Sequence, residues 1–291
     1  MTSFATSSEI HDINIVYSVE KMYKGQDYIC HGNGIDSETG ESFGWVMLND
    51  GHGTDACINF IRSIPDTIKS ELIGKPDPIA SLVEYIDKTR CVFRYESSGA
   101  TAVILKCYAN RGHVITCGDS QAVVFKNGEL VHITKEHNCY NESERQRLTS
   151  RGVRFVSSRN IKVIKHNEII NVPADYAEFR EDHYLACTQA LGHNSLTGYA
   201  PDNFIIPFEK GSTYKFVLGS DGLFDMTMLD NECDITVLRE KNGHEIMGWC
   251  MDRWLQEWNG DFPEKANNTF QFKKEDCDDI SVATIDICPN V

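Results

Sequence analysis

The sequence predicts an α+β fold in which two antiparallel β-sheets are covered by helices. Strands linked by hairpin turns occur in runs, and long amphipathic helices lie between these runs instead of alternating with single strands. Hydrophobic residues make up 41% of the 291 positions, which is enough for a sizeable core. No repeat, low-complexity tract or linker divides the chain, so we expect one domain over residues 1–291.

Eight strands are predicted where apolar residues run between turn signals. They cover residues 43–49, 100–109, 113–117, 121–126, 129–134, 203–208, 214–220 and 280–287. Asp50-Gly51 is a turn signal that ends the first strand. Asn127-Gly128 suits a type I′ turn and predicts a hairpin. The polar stretch 157–183 contains Val-Ile and Ile-Ile pairs, which favours a projecting hairpin there.

Four helices are predicted where apolar residues recur at helical spacing. They cover residues 54–64, 78–93, 141–150 and 244–258. Pro65 ends the first helix, Ser98-Gly99 breaks the second and Gly152 ends the third. We expect these helices to form the layers that cover the sheets.

Charge and hydropathy exclude several classes of protein. The net charge of −15 and the lack of a Lys/Arg cluster argue against nucleic-acid binding. No run of 18 apolar residues could cross a membrane, the N-terminus lacks a signal-peptide pattern, and Thr2 excludes an N-myristoyl glycine. We therefore expect an intracellular protein, cytoplasmic or nuclear, and a monomer by default. An acidic chain repels phosphate at long range, so any phosphate site in it needs a positive group.

Acidic residues recur at the tips of the predicted strands. Asp50, Asp119 and Asp221 each follow an apolar strand, and Asp278 lies just before one. Any one of them alone is more readily explained as a turn residue. Strand tips at one end of a sandwich converge, and carboxylates gathered there repel one another unless cations bind them.

All-oxygen ligands with water to spare select hard ions such as Mg²⁺ and Mn²⁺. Two such ions a few ångströms apart can hold a bridging water, lower its pKa and clamp a phosphoryl oxygen. The four carboxylates therefore predict a centre that binds two divalent cations.

Seven motifs occur in the order found in the PP2C family of metal-dependent protein phosphatases, and the chain resembles that family from about residue 26 to residue 287. The motifs are Asp50-Gly-His-Gly53, Ser98-Gly-Ala-Thr-Ala102, Cys117-Gly-Asp-Ser120, the helix 141–152, Gln189-Ala-Leu-Gly192, Gly219-Ser-Asp-Gly-Leu-Phe-Asp225 and Cys277-Asp-Asp-Ile-Ser-Val282. Each motif is weak alone, but seven in order are specific. The resemblance implies a four-layer α-β-β-α sandwich.

The resemblance also implies roles in metal binding for six residues, which are Asp27, Asp50, Gly51, Asp119, Asp221 and Asp278. Asp50 resembles the family's aspartate that bridges the metal ions, and the backbone carbonyl of Gly51 resembles a further metal ligand. Asp27 resembles an aspartate that acts mostly through water. Asp119 together with Asp221 resembles a weaker third-metal site.

The implied reaction is hydrolysis of phosphoserine and phosphothreonine on proteins by attack of a metal-activated water on phosphorus. His52 is the best general acid for protonating the leaving alkoxide, because a histidine titrates near neutral pH. Taken alone, His52 is more readily explained as a turn histidine, and its Asp-Gly-His-Gly context favours the catalytic role.

The chain departs from the family where cations usually hold the substrate. Met22 stands where the family has a phosphate-binding arginine, and Lys21 and Lys24 are the candidate replacements. Gln121 and Gln189 also replace arginines. These changes reduce the number of positively charged groups around the substrate, so we expect reduced turnover or an unusual substrate.

Three other functions stay open. The chain could be a weak or inactive pseudophosphatase that serves as a binding module, or an enzyme acting on a small phosphorylated molecule. Cys139 and Arg145 also fit the C-x5-R spacing of cysteine-dependent phosphatases, but Glu142 and Glu144 between them would repel both thiolate and phosphate.

Overall fold

The strands and helices are those of a computed structural model, which describes residues 2–3, 11–22, 24–89, 97–262 and 265–289. In chain order, the strands are β1 Thr2–Ser3, β2 His11–Glu20, β3 Asp27–Ile35, β4 Ser42–Gly53, β5 Ser98–Ala100, β6 Ala102–Cys107, β7 Arg111–Cys117, β8 Gln121–Lys126, β9 Glu129–Ile133, β10 Arg154–Lys165, β11 Glu168–Arg180, β12 His183–Leu185, β13 Leu191–Gly192, β14 Asp202–Pro207, β15 Tyr214–Gly219, β16 Glu257–Phe262, β17 Lys265–Gln271 and β18 Ile280–Pro289. The α-helices are α1 Ala56–Ser63, α2 Asp66–Ile73, α3 Pro78–Thr89, α4 Glu142–Ser150, α5 Asp221–Phe224, α6 Glu232–Glu240 and α7 Gly243–Leu255. Short 3-10 helices cover His193–Ser195 and Lys274–Asp276.

Two of the three sheets form the central sandwich. The first has the order β1-β2-β18-β15-β8-β9, and the second has the order β13-β5-β4-β6-β7-β14 with β3 paired to β4. Their facing sides meet in one apolar cluster, to which Val46 and Leu105 contribute from the second sheet and Val124, Phe216 and Ile285 from the first. The alternation of side chains along each strand sends the neighbouring residues to the outer faces.

Helices cover both outer faces, which confirms the predicted α+β sandwich with four layers. Trp45 and Met47 of β4 pack with Ile58, Ile61 and Leu82 in the helical layer formed by α1, α2 and α3. On the other face, α5, α6 and α7 cover the first sheet, and their buried residues form a separate apolar cluster with that sheet. The predicted helix 78–93 ends at Thr89, and residues 90–93 lie outside the described residues. Helix α2, directly after Pro65, was not predicted.

A third sheet lies beside the sandwich. Strands β10 and β11 form the hairpin predicted within residues 157–183, and its turn residues His166 and Asn167 have φ values of 50° and 64°, as a type I′ turn requires. Strand β11 pairs in parallel with β16, which forms a second hairpin with β17.

The prediction of a helix over 244–258 is wrong at its C-terminal end, because Gln256 is extended and the buried Trp258 belongs to β16.

The prediction that β4 ends at Asp50-Gly51 is also wrong. The strand continues to Gly53, because its backbone finds partners on both sides: Asp50 lies opposite Asp27 of β3, and Gly51 lies opposite Ala100 of β5. Continued pairing therefore overrides the turn preference of an Asp-Gly pair. The carboxylate of Asp50 is held on a buried strand instead of a surface turn.

Strands β2 and β3 were not predicted. Strand β3 contains Gly32 and Gly34, and glycine is depleted in strands. Here the two glycines lie opposite Trp45 and Phe43, and a Cβ at Gly32 or Gly34 would lie 2.7 or 2.6 Å from the facing ring. The glycines thus make room for two aromatic rings that fill the core under α2.

None of the helices in the described parts of the chain is long and apolar enough to cross a membrane.

Replacing Gly32 with alanine should lower the free energy of unfolding by about 1–3 kcal/mol, because the new methyl group must displace the buried ring of Trp45. The matched control is Gly248→Ala on α7, where a Cβ meets open space. Alanine there should be neutral or stabilising by roughly 0.5–1 kcal/mol. Chemical denaturation of both variants makes the comparison, and equal stability of the two would contradict the tight contact at Gly32.

Candidate metal centre

The predicted acidic residues lie at one end of the sandwich, each placed by a different element. Asp27 begins β3 and lies opposite Asp50 of β4, while Asp119 lies in the turn between β7 and β8. Asp221 is the first residue of α5, directly after β15, and Asp278 lies just before β18. The structure therefore brings these predicted carboxylates into one region.

Asp221 is the electrostatic centre of this group. Burial and the negative charge of Asp221 together raise the pKa of Asp27 to about 7. The same two causes hold the pKa values of Asp50 and Asp119 well above the ordinary range and raise that of Asp278. Asp50 also shares a side-chain hydrogen bond with Asp221. Raised pKa values are what burial beside like charge produces, and Asp27 and Asp50 lie at directly paired positions of β3 and β4.

The donor set fits a hard divalent cation. Among the described residues, the buried oxygens Oδ2 of Asp27 and Oδ1 of Asp221 have no hydrogen-bond partner. Within the described ranges, no three His, Cys, Asp or Glu side chains are grouped closely enough to hold an ion by themselves. Mg²⁺ usually keeps several water ligands and needs only one or two carboxylates, so this open arrangement suits Mg²⁺ or Mn²⁺ better than a closed all-protein site.

The loop before β3 is fixed by Asp279, which the sequence analysis did not nominate. Its buried carboxylate accepts hydrogen bonds from the backbone N–H groups of Met22, at 2.9 Å, and Gln26, at 2.7 Å. The carbonyl of Gln26 in turn accepts the N–H of Gly51, and a Cβ on Gly51 would lie 2.9 Å from that oxygen. The close approach of the loop to β4 therefore requires glycine at position 51.

His52 lies beside the acidic group and is partly buried. Its ring stacks on that of His193 with centroids 4.9 Å apart, and its Nε2 lies 3.5 Å from the Sγ of Cys187. Burial, His193 and Lys24 together lower the pKa of His52 to about 3. The imidazole is therefore neutral at physiological pH until a negative group approaches it.

His193 is a site residue whose contact the sequence analysis missed. It lies in a left-handed turn, where Gly192, His193, Asn194 and Ser195 have φ values of 81°, 48°, 51° and 58°. Such backbone is costly for residues other than glycine, and the hydroxyl of Ser195 anchors the turn by donating to Asp87 at 2.6 Å. Nothing in the sequence indicates that this turn places His193 against His52.

Gly99 makes the approach of the two histidines sterically possible. A Cβ on Gly99 would lie 2.4 Å from Cδ2 of His193 and 2.6 Å from Nε2 of His52. Any larger residue at position 99 would therefore push the stacked rings apart.

The two predicted phosphate-binding lysines differ in position. The Nζ of Lys24 lies 3.4 Å from a carboxylate oxygen of Asp278. Partial desolvation opposes the charge of Lys24, but Asp278 and Asp221 favour it and raise its pKa. Lys21 is exposed, and its side chain lies against Gly25. Met22 between them is buried in the apolar cluster under the first sheet.

The expectation that Gln121 and Gln189 thin the positive charge around substrate is wrong. Both side chains are buried and bonded inside the fold. Gln121 donates to the carbonyl of Thr134 at 2.8 Å, and Gln189 donates to Glu144 at 2.9 Å. Both positions are therefore structural in this chain.

The structure also argues against the cysteine-dependent alternative. Cys139 is buried, and burial raises the pKa of its thiol to about 12. Arg145 donates to the carbonyl of Cys139 at 2.9 Å and pairs with Asp175 at 3.2 Å. A protonated thiol beside an arginine that is already paired cannot act as a phosphate-binding nucleophile.

Comparison with known proteins identifies the family of the chain. The model of the family described as protein phosphatase 2C matches residues 29–252. A rice protein named "Probable protein phosphatase 2C 55" is 27% identical over 221 residues, which are 72% of this chain and 52% of the rice protein. Human "Protein phosphatase 1B" is 22% identical over 170 residues, which are 57% of this chain and 33% of the human protein.

A solved structure of serine-threonine phosphatase 2C from Toxoplasma gondii shares the fold, with a TM-score of 0.60 and 14% identity, and the alignment covers 96% of this chain and 95% of the other. The chain belongs to the protein phosphatase 2C family. It spans about half the length of the first of these relatives and a third of the second. Members of the family generally depend on Mg²⁺ or Mn²⁺.

The raised pKa of Asp27 predicts how stability depends on pH. Asp27 binds its proton up to about pH 7 in the folded state but only up to about 3.8 when unfolded, so rising pH favours the unfolded chain across that window. In chelator, wild type should lose roughly 3–4 kcal/mol relative to Asp27→Asn between pH 4 and pH 8. Mn²⁺ added at pH 8 should restore stability to wild type by binding the folded state.

Urea denaturation of both proteins at each pH measures this difference. The control is Asp252→Asn, which removes an exposed carboxylate on α7 and should follow wild type at every pH. A pH-independent difference between wild type and Asp27→Asn would contradict the electrostatic account of the centre.

Proposed function

We propose that this chain hydrolyses phosphoserine and phosphothreonine esters on proteins, using two Mg²⁺ or Mn²⁺ ions. One observation carries the proposal: carboxylates from separate strand ends lie together, since Asp27 is directly opposite Asp50 on paired strands and Asp119, Asp221 and Asp278 line the same cavity. A fold keeps such a cluster at a cost in stability, and bound cations remove that cost. Membership in the protein phosphatase 2C family supports the same reading.

The residues proposed to hold the two ions are Asp27, Asp50, Asp221, Asp278 and the carbonyl of Gly51. Asp119 with Asp221 would form a weaker third site. When bound, the ions supply Lewis-acid activation of water and neutralise charge on the phosphoryl group. Asp279 contributes indirectly, because it fixes the loop that leads into Asp27.

Lys24 is the residue proposed to orient the phosphate of the substrate. Its ammonium lies next to Asp278, so a phosphate at the centre would come within its field. Lys21 could add a second, more distant charge. Lysine binds phosphate as a point charge without the two-pronged geometry of arginine, so orientation by Lys24 is weaker than by the arginine that Met22 replaces.

His52 is the residue proposed to protonate the leaving oxygen of serine or threonine. A phosphate dianion bound beside the imidazole favours its charged form, so the low pKa of His52 rises when substrate binds. Stacking on His193 and the contact with Cys187 hold the ring in place. The proton then passes from the imidazole to the alkoxide as the phosphorus–oxygen bond breaks.

A pseudophosphatase that binds phosphoproteins without hydrolysing them is the second candidate. The observation that favours it is the burial of Met22, which leaves Lys24 as the cation beside Asp278 in the described loop. Both candidates bind metal, and they differ in turnover.

Phosphate release from a phosphothreonine peptide should require Mn²⁺ and be lost in chelator. Asp221→Asn should lower kcat/KM by roughly a hundredfold or more, because it removes the shared carboxylate of the centre. Cys139→Ser and Asp252→Asn are the matched controls and should keep wild-type rates. If calorimetry shows that wild type binds Mn²⁺ but no phosphate is released, the pseudophosphatase is correct.

His52→Gln should separate the proposed general acid from a structural role. With a phosphothreonine peptide the leaving alkoxide needs a proton, so kcat should fall by roughly a hundredfold or more. With p-nitrophenyl phosphate the leaving group is stable without a proton, so kcat should fall far less. An equal loss with both substrates would show that His52 acts by supporting the fold of the site.

A further inference from the structure

We propose that the cavity beside the candidate metal centre selects phosphorylated segments in which a lysine or arginine flanks the phosphoserine or phosphothreonine. This inference rests on the proposed function and names its substrate class. The cavity has a volume of about 930 Å³. Asp119, Asp221 and Asp278 are among its lining residues, so the cavity includes part of the candidate metal centre.

The walls of the cavity come from two different parts of the fold. One wall consists of residues 160–164 of β10 and 172–176 of β11, which belong to the projecting hairpin. The other consists of residues 224–228 together with Trp254 and Phe272. Ligand pockets in proteins typically hold roughly 300–1,000 Å³, so this cavity has room for several residues beside the phosphate.

The hairpin wall is anchored at both ends. Arg145 pairs with Asp175 at 3.2 Å, and the hydroxyl of Tyr140 accepts the N–H of Asp175 at the same distance while donating to the carbonyl of Pro173. At the far end, Ile169 is fully buried and the strand pairs with β16. The cavity is therefore a preformed groove, and little free energy is needed to order it when a segment binds.

Apolar side chains supply contact area without specificity for charge. Met226, Met228, Phe272 and Val172 are among the lining residues of the groove; Met228 and Val172 are partly exposed, whereas Met226 and Phe272 are buried. Such a surface suits the aliphatic stems of lysine and arginine, which bury their methylene groups and leave the charged end near polar groups.

The charges in the groove decide which segment fits. Among the described lining residues, eight of the nine charged side chains are acidic: Asp119, Glu136, Asp175, Asp221, Asp225, Asp230, Asp276 and Asp278. The basic one, Lys162, lies over the ring of Phe270 at 4.0 Å. Cations at the centre would offset the acids nearest the phosphate, and Arg145 offsets Asp175. Asp230 and Asp276 remain exposed and make no ion pair with a described residue.

A segment with acidic flanks would meet repulsion from these carboxylates and from a chain whose net charge is −15. A basic residue close to the phosphorylated one converts that repulsion into attraction and speeds the encounter. The groove therefore favours phosphorylated segments rich in lysine or arginine over acidic or neutral ones.

The test compares phosphothreonine peptides that differ only in their flanks. One set carries arginine on the N-terminal side, one on the C-terminal side, and one carries glutamine at all those positions. With Mn²⁺ at low salt, wild type should prefer at least one arginine peptide by roughly tenfold in kcat/KM, and added salt should shrink the preference. The double variant Asp230→Asn with Asp276→Asn should reduce the preference to about twofold or less. Asp252→Asn should retain it.

Binding of the same peptides, measured by fluorescence anisotropy with Mn²⁺ present, separates this inference from the proposed function. If kcat/KM and Kd are equal for all peptides while p-nitrophenyl phosphate is still hydrolysed, the proposed selection by the groove is wrong and the proposed phosphatase activity stands. If no substrate is hydrolysed, but wild type binds arginine peptides more tightly and the double variant loses this preference, the proposed phosphatase activity is wrong and the proposed selection by the groove is supported. A preference unchanged in the double variant would overturn the assignment to Asp230 and Asp276.

Discussion

Repulsion among carboxylates at one end of the sandwich is the constraint on which the rest of the site depends. Asp221 lies at the start of a short helix after β15, and its charge disfavours ionisation of Asp27, Asp50, Asp119 and Asp278. Holding like charges together requires a rigid frame, because each group could relax by moving apart. The two stacked sheets supply that frame, since their strands are paired along their length and buried on both faces.

The frame reaches the centre through a few specific contacts. Asp279 ties the loop at Met22 and Gln26 to the beginning of β18, and Gly51 lets that loop approach β4. Gly99 lets His52 and His193 stack. Asp279 and Gly99, which have no proposed catalytic or metal-binding role, thus fix the positions of functional groups. The site is therefore as sensitive to its glycines as to its carboxylates.

The sequence was informative where a residue's role depends on its own neighbours along the chain. The Asn127-Gly128 turn was predicted, and so was the convergence of the acids, because each follows or precedes an apolar strand. Contacts between distant segments could not be predicted. The extension of β4 past Asp50 depends on pairing with β3 and β5, and the roles of Gln121 and Gln189 depend on partners at Thr134 and Glu144. The contact between His193 and His52 leaves no pattern in the sequence.

The parallel pairing of β11 with β16 joins two segments that are separated by more than 75 residues in the chain. The buried Ile169 at this junction would lose part of its cover if the second hairpin were shortened, and β16 would lose a neighbour if the first were removed. Losing either hairpin alone would therefore expose a strand edge of the other, and exposed edges are prone to pairing with other chains.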